Sequence, residues 1–139
     1  GARTATGRRL MPLPAGSGTA RQGQQVYDQK CLSCHGPKGA GKPADALVGG
    51  IGTLASKTPV RTVGSYWPYA TTLFDYVRRA MPITNPLSLT NDEVYAVTAY
   101  VLALNGIVGE DAVMNAQSLP QVKMPNRDGF VSDWPPRER

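Results

Sequence analysis

Both cysteines and the only histidine of this 139-residue chain lie in one segment, Cys31-Leu32-Ser33-Cys34-His35. Two thiols at this spacing can form thioether bonds to the vinyl groups of one porphyrin, and the imidazole directly after them can bind its iron. A redox dithiol or half of a zinc site would use the same cysteines. Zinc needs about four protein ligands, which the chain lacks, and no pattern indicates the strand-rich fold of a dithiol enzyme. The segment predicts one covalently attached haem c with His35 as an iron ligand.

The sixth iron ligand must come from elsewhere in the chain. Only four residues offer a thioether: Met11, Met81, Met114 and Met124. Position favours Met81, which follows a predicted helix, precedes Pro82 and lies 46 residues after His35, so that the chain can return on the other face of the macrocycle. A methionine at a helix end is, however, also common in ordinary cores.

Further haem contacts are expected around the helix that leads to Met81. Three aromatic rings could pack on the haem edge or donate to a propionate, or could be ordinary core and rim side chains: Tyr66, Trp67 and Tyr69. Arg78 and Arg79 could pair with propionates or with an acidic partner, or belong to a solvated helix face. We expect a backbone carbonyl of the following glycine-rich loop to hold the second ring nitrogen of His35.

Short helices separated by irregular chain must position these groups, since the sequence has 15 glycines and 12 prolines. A first helix follows Thr19, a suitable N-cap, and leads into residues 31–35, the haem segment. Residues 36–53 form a glycine-rich loop that wraps a bound group. A second helix is predicted over residues 65–80, with Pro68 at its first position.

The last helix begins at Thr90, with Glu93 completing a capping box, and ends at Asn105. We therefore predict one all-α domain over residues 19–106, preceded by an extended arm, residues 1–18. A tail, residues 107–139, follows, with a helical turn near residues 111–116. Its apolar side chains indicate that it packs on the domain or docks on a partner: Leu119, Val122, Met124, Phe130 and Trp134.

Composition narrows the classes of partner. The sequence has no run of 18 apolar residues, which predicts no membrane span, and no basic stripe interleaved with aromatics, which disfavours nucleic acid. The net charge of +5 is concentrated in the first 30 residues, where it could speed encounter with an acidic partner or form a solvated terminus. Covalent haem attachment occurs outside the cytoplasm in bacteria, as the resemblance to the cytochromes c implies, so we expect a periplasmic protein whose signal peptide is absent from this chain.

Residues 18–106 resemble the class I cytochromes c, in which the first and last helices cross near the haem. Gly23 and Tyr27 look like the contact residues of that family's first helix, and Tyr100 looks like their partner on the last. The resemblance implies about three to five helices wrapped round one haem, with extended arms at both ends. It also implies Met81 as the second axial ligand. A closed His/Met iron favours electron transfer, whereas a peroxidase or reductase with a displaceable Met81 is the alternative.

Two stretches together resemble the cytochrome subunits of bacterial sulfur and sulfite dehydrogenase complexes. They are residues 62–82, TVGSYWPYATTLFDYVRRAMP, and residues 124–130, MPNRDGF. This resemblance implies a periplasmic electron-transfer subunit, not itself an enzyme. Its donor would be a molybdenum-cofactor enzyme that oxidises sulfite or sulfane sulfur, and its acceptor another cytochrome c or an oxidase. Some members carry two haem motifs where this chain has one, so service to a different dehydrogenase is an alternative.

Overall fold

The structure, a computed structural model, describes residues 12–130. Met11 and Trp134 lie outside these residues, as do most of the predicted arm and the end of the predicted tail. The described chain forms β1 (Ser17–Thr19), α1 (Ala20–Lys30), α2 (Leu32–His35), α3 (Val63–Tyr66), α4 (Ala70–Ala80), α5 (Asn91–Leu104) and β2 (Val113–Asn115). Two short 3-10 turns lie at Pro37–Gly39 and Leu119–Gln121. None of the helices described is long and apolar enough to cross a membrane.

Helices α1 and α5 cross in direct backbone contact. Each begins with a capping box, formed by Thr19 with Gln22 in α1 and by the predicted Thr90 pair in α5. Gly23 permits the crossing, because a Cβ at this position would overlap the carbonyl oxygen of Ala96. One turn later, the rings of Tyr27 and Tyr100 pack with their centroids 5.3 Å apart. The predicted contact between the first and last helices is confirmed.

The predicted second helix is in fact two helices. α3 ends at Tyr66, and α4 begins only at Ala70. The residue before Pro68 is extended, with φ −71° and ψ 129°, because a proline ring disfavours helical geometry at the preceding position. Pro68 therefore separates the helices instead of starting one. The predicted placement of this proline was wrong.

The tail crosses the molecule and completes its core. Met114, Leu119 and Met124 are buried in the same apolar cluster as Phe74 of α4 and Tyr95 of α5. The helical turn predicted near residues 111–116 is wrong, because β2 pairs antiparallel with β1 there. A strand of three residues depends on a partner almost a hundred positions away, which no local pattern reveals.

Substituting alanine for Gly23 is expected to lower the free energy of unfolding by about 2–3 kcal/mol, because the new methyl group must push α1 away from the backbone of α5. The matched control is Gly109→Ala, since a Cβ at Gly109 meets nothing within 4 Å. We expect the control to change stability by less than about 0.5 kcal/mol. Denaturant unfolding of both variants checks this, and equal losses would contradict the proposed close approach.

Candidate functional site

The two cysteines lie where α1 turns into α2. Cys31 ends α1, its backbone N–H donating to the carbonyl of Tyr27 at 2.8 Å, and the N–H groups of Cys34 and His35 both donate to the carbonyl of Cys31. Both thiols are free, Cys31 being half-buried and Cys34 exposed. Side chains three positions apart on a helical turn share one face, as attachment to a single porphyrin requires.

The ring of His35 is held by the glycine-rich loop, as predicted. Its Nδ1 lies 3.0 Å from the backbone carbonyl oxygen of Asp45. A carbonyl can only accept, so the tautomer that satisfies this contact carries its proton on Nδ1 and leaves Nε2 free to bind a metal. No sequence pattern indicates which residue supplies this carbonyl, because any residue type can do so.

Backbone hydrogen bonds join the loop that carries Asp45 to the haem segment. Gly41 donates to the carbonyl of His35 at 2.7 Å, and Ala44 donates to the carbonyl of Cys34 at 2.7 Å. Gly36 starts the turn with φ +78°, and a Cβ there would overlap the carbonyl oxygen of Gly41. The loop and the segment therefore form one hydrogen-bonded unit.

The side chain of Tyr27 holds the start of this loop. Its side chain is fully buried, and its hydroxyl donates to the carbonyl of Gly36 at 2.6 Å. Burial raises the pKa of Tyr27 to about 12. The sequence indicated Tyr27 as a helix contact, but the pattern did not reveal the second role of its hydroxyl.

Met81 follows the last residue of α4 and is half-buried. One turn earlier, Val77 packs on the same apolar cluster as Cys31 and Leu32. The end of α4 and the haem segment therefore border the same apolar cluster. By contrast, Met114 and Met124 are 4% and 3% exposed within the main core, and their side chains are engaged there in packing.

Tyr66 and Tyr69, which were predicted to contact the haem, contact residues of the tail. The rings of Tyr66 and Phe130 meet edge to face with centroids 5.0 Å apart, and the side chain of Asn126 donates to the carbonyl of Tyr66 at 2.8 Å. The guanidinium of Arg127 lies 4.9 Å from the ring centre of Tyr69. The two stretches that carry the dehydrogenase resemblance thus contact each other.

Of the remaining predicted residues, Arg78 and Arg79 lie in α4, and Trp67 lies between α3 and α4. The ring of Trp67 packs against Tyr76 with centroids 5.9 Å apart. Arg79 forms a surface ion pair with Asp75 at 2.6 Å, whereas Arg78 is half-buried. An exposed pair of this kind contributes little to stability. The part of these residues in binding haem stays a prediction.

The pKa of Cys31 differs from that of a reactive dithiol. Burial, with a smaller effect from neighbouring Cys34, raises the pKa of the Cys31 thiol to about 11. A nucleophilic dithiol needs a lowered pKa. Residues 12–130 also contain no cluster of three or more His, Cys, Asp or Glu side chains that could hold a metal ion, as a zinc site would need. Two free thiols beside an oriented imidazole fit haem attachment instead.

Comparison with known proteins identifies a cytochrome c domain in this chain. Residues 18–101 match the family model described as cytochrome C oxidase, cbb3-type, subunit III. A similar chain occurs in the crystal structure of the sulfane dehydrogenase SoxCD from Paracoccus pantotrophus, with 40% sequence identity and a TM-score of 0.85. The match covers 89% of this chain and 64% of that one. No curated protein matches.

The buried hydroxyl of Tyr27 predicts a loss of stability at alkaline pH. The unfolded chain ionises a tyrosine near pH 10. The folded protein ionises Tyr27 only near pH 12, so its contribution is complete below pH 10 and is lost between pH 10 and 12. A shift of this size corresponds to about 2–3 kcal/mol.

Tyr27→Phe should therefore flatten the fall of unfolding free energy over that range, while lowering stability at pH 8 by about 1 kcal/mol through the lost hydrogen bond. Denaturant titrations from pH 8 to 12 provide the measurement. Tyr76→Phe is the control. Tyr76 is 44% exposed, and removing its hydroxyl should leave the unfolding free energy at pH 8 unchanged. Parallel pH curves for the parent and Tyr27→Phe would contradict the assignment.

Proposed function

Because this chain belongs to the cytochrome c family whose model describes subunit III of cbb3-type oxidases, we propose that it transfers single electrons through one haem c bound to Cys31 and Cys34. The haem, when bound, supplies a one-electron iron couple. We assign the axial ligands to His35 and Met81. The observation that carries the proposal is the hydrogen bond of His35 to the Asp45 carbonyl, because it directs Nε2 of the only histidine away from the loop.

The residues of the chain divide the work in this proposal. Cys31 and Cys34 tether the porphyrin, so that it stays bound in both oxidation states. The Asp45 carbonyl fixes the ring of His35 and makes Nε2 more basic. Met81, at the end of α4, would supply the second protein ligand of the iron, which would exclude exogenous ligands and raise the reduction potential. A closed site of this kind suits electron relay better than catalysis on a bound substrate.

We further propose that the electrons come from a dehydrogenase that oxidises sulfite or sulfane sulfur with a molybdenum cofactor. The likeness to a chain of the sulfane dehydrogenase SoxCD supports a dehydrogenase-associated cytochrome, as predicted from the two resembling stretches. The electrons would pass on to another cytochrome c or an oxidase, in the periplasm. This chain spans 64% of the length of that relative.

Met81→Leu should lower the reduction potential by at least ~59 mV, the shift that changes the ratio of reduced to oxidised protein tenfold for one electron. It should also remove the far-red iron–sulfur absorption band and let the reduced protein bind carbon monoxide. Potentiometry and absorption spectra measure all three. Met114→Leu and Met124→Leu are matched controls, because both keep core volume and should leave the spectrum unchanged. A parent that binds carbon monoxide readily would instead favour the peroxidase or reductase alternative.

The covalent attachment is tested separately. Haem should remain with the parent polypeptide on a denaturing gel, and should be lost from a Cys31→Ser, Cys34→Ser double variant, because both thioether bonds are then removed. Loss of haem from the parent under the same conditions would contradict covalent binding.

The donor is tested by mixing the oxidised cytochrome with a purified molybdenum sulfite or sulfane dehydrogenase and its substrate. We expect haem reduction only when enzyme and substrate are both present. The change in haem absorbance, recorded in a stopped-flow instrument, measures the rate of reduction. The rate should fall with added salt if charged surfaces guide the encounter. Failure of reduction would contradict the sulfur partner and leave the haem assignment intact.

A further inference from the structure

We propose that Asn105 is a positioning residue for the haem iron, acting on both segments that supply its axial ligands. This role rests on the proposed haem function. The side-chain amide of Asn105 ties down the loop that orients His35. On its other side it contacts α3, which leads through α4 to Met81. The sequence indicated Asn105 only as the end of the last helix.

The amide of Asn105 makes three hydrogen bonds to backbone groups. Its Oδ1 accepts from the backbone N–H of Gly49 at 3.1 Å. Its Nδ2 donates to the carbonyls of Leu47 at 3.2 Å and Val101 at 3.0 Å. The opposite orientation of the amide would face its NH2 towards an N–H and its oxygen towards two carbonyls, so the network allows one orientation. These bonds fix Leu47 and Gly49 of the glycine-rich loop, residues 36–53, to the end of α5.

The Asp45 carbonyl lies between two fixed points of this loop. On one side, Ala44 donates to the carbonyl of Cys34 at 2.7 Å. On the other, Leu47 donates to the carbonyl of Gly39 at 2.9 Å, while its own carbonyl is held by Asn105. The contact of the Asp45 carbonyl with His35 therefore depends on both ends. Without the Asn105 amide, the Asp45 carbonyl is held firmly on the Ala44 side and more loosely on the Leu47 side.

The same loop is joined to the segment that leads to Met81. The hydroxyl of Thr62, which is 3% exposed, donates to the carbonyl of Gly49 at 2.7 Å and also caps α3. Within α3, Gly64 packs directly on Asn105, since a Cβ at Gly64 would overlap Oδ1 of the amide. Only a glycine lets this helix approach so closely. Asn105 thus contacts the loop of one ligand and the helix that precedes the other.

The expected consequence is a change in reduction potential. A carbonyl held on Nδ1–H raises the basicity of the metal-binding nitrogen of His35. A more basic ligand stabilises the oxidised iron relative to the reduced iron, which lowers the potential. Loosening the loop should therefore weaken this hydrogen bond and raise the potential. A residue that served only to stabilise the fold would not produce this shift.

The test uses the haem-loaded variants Asn105→Ala and Gly64→Ala. The first removes the amide, and the second displaces it without removing a polar atom. At a fixed applied potential, we expect the ratio of reduced to oxidised protein to rise two- to tenfold, which equals about 18 to 59 mV for one electron. By NMR, the ring N–H of His35 should exchange with solvent at least about tenfold faster, because its acceptor is less firmly held.

Thr90→Ala is the matched control. It removes the N-cap at the opposite end of α5, away from the loop, and should lower the unfolding midpoint while leaving both readouts unchanged. A second pair covers the case in which Asn105→Ala does not fold. Thr62→Val removes the hydroxyl that holds Gly49 and should raise the potential, whereas Thr62→Ser retains it and should restore the parent value.

Several results would overturn the role of Asn105. An unchanged potential and exchange rate in Asn105→Ala and Gly64→Ala would do so, as would an equal shift in Thr90→Ala. If only the Thr62 pair can be measured, equal potentials for Val and Ser would be decisive against it. In all these cases the parent still carries haem, and the proposed function stands. A parent without covalent haem, or without a protected His35 ring N–H, would refute the proposed function and the positioning role together.

Discussion

The close crossing of α1 and α5 at Gly23 is the contact on which the rest of this molecule depends. α1 ends at Cys31, and α5 ends beside Asn105, so the crossing fixes where the haem segment lies relative to the amide that secures its loop. A side chain at the crossing would separate the helices and shift both ends. The packing of Tyr27 on Tyr100 then extends the contact towards the loop, because the hydroxyl of Tyr27 holds Gly36.

The tail adds a second constraint on the same framework. β2 pairs with β1, directly before α1, and carries the chain across to residues 66–69. There Asn126 and Arg127 contact the break between α3 and α4. This break sets the direction in which α4 runs towards Met81. The tail is therefore part of the core and of the support for the site, within the residues that the structure describes.

Much of this could be predicted from the sequence, because the relevant signals are local. Cys-x-x-Cys-His and the capping box of α5 are short local patterns, and the glycine at the helix crossing was indicated by the family resemblance. The predicted all-α class I cytochrome c fold is confirmed by the helices and by the likeness to the chain of SoxCD. Apart from the local misplacement of Pro68, the failures were long-range. β2 has no local signature, and the Asp45 carbonyl and the Asn105 amide act through contacts with residues distant in sequence.

The pattern of hydrogen bonds also bears on why such a site suits electron transfer. Every contact identified around His35 is made to the backbone, whose donors and acceptors cannot change rotamer, and the loop between the contacts is rich in glycines with positive φ. Taken alone, such a loop has many accessible conformations and a large entropy cost of ordering. Its attachments to Cys34, Gly39 and Asn105 offset that cost and hold the carbonyl that contacts the imidazole. In the proposed haem protein, a ligand held in this way would need little rearrangement when an electron arrives, which is the property a relay requires.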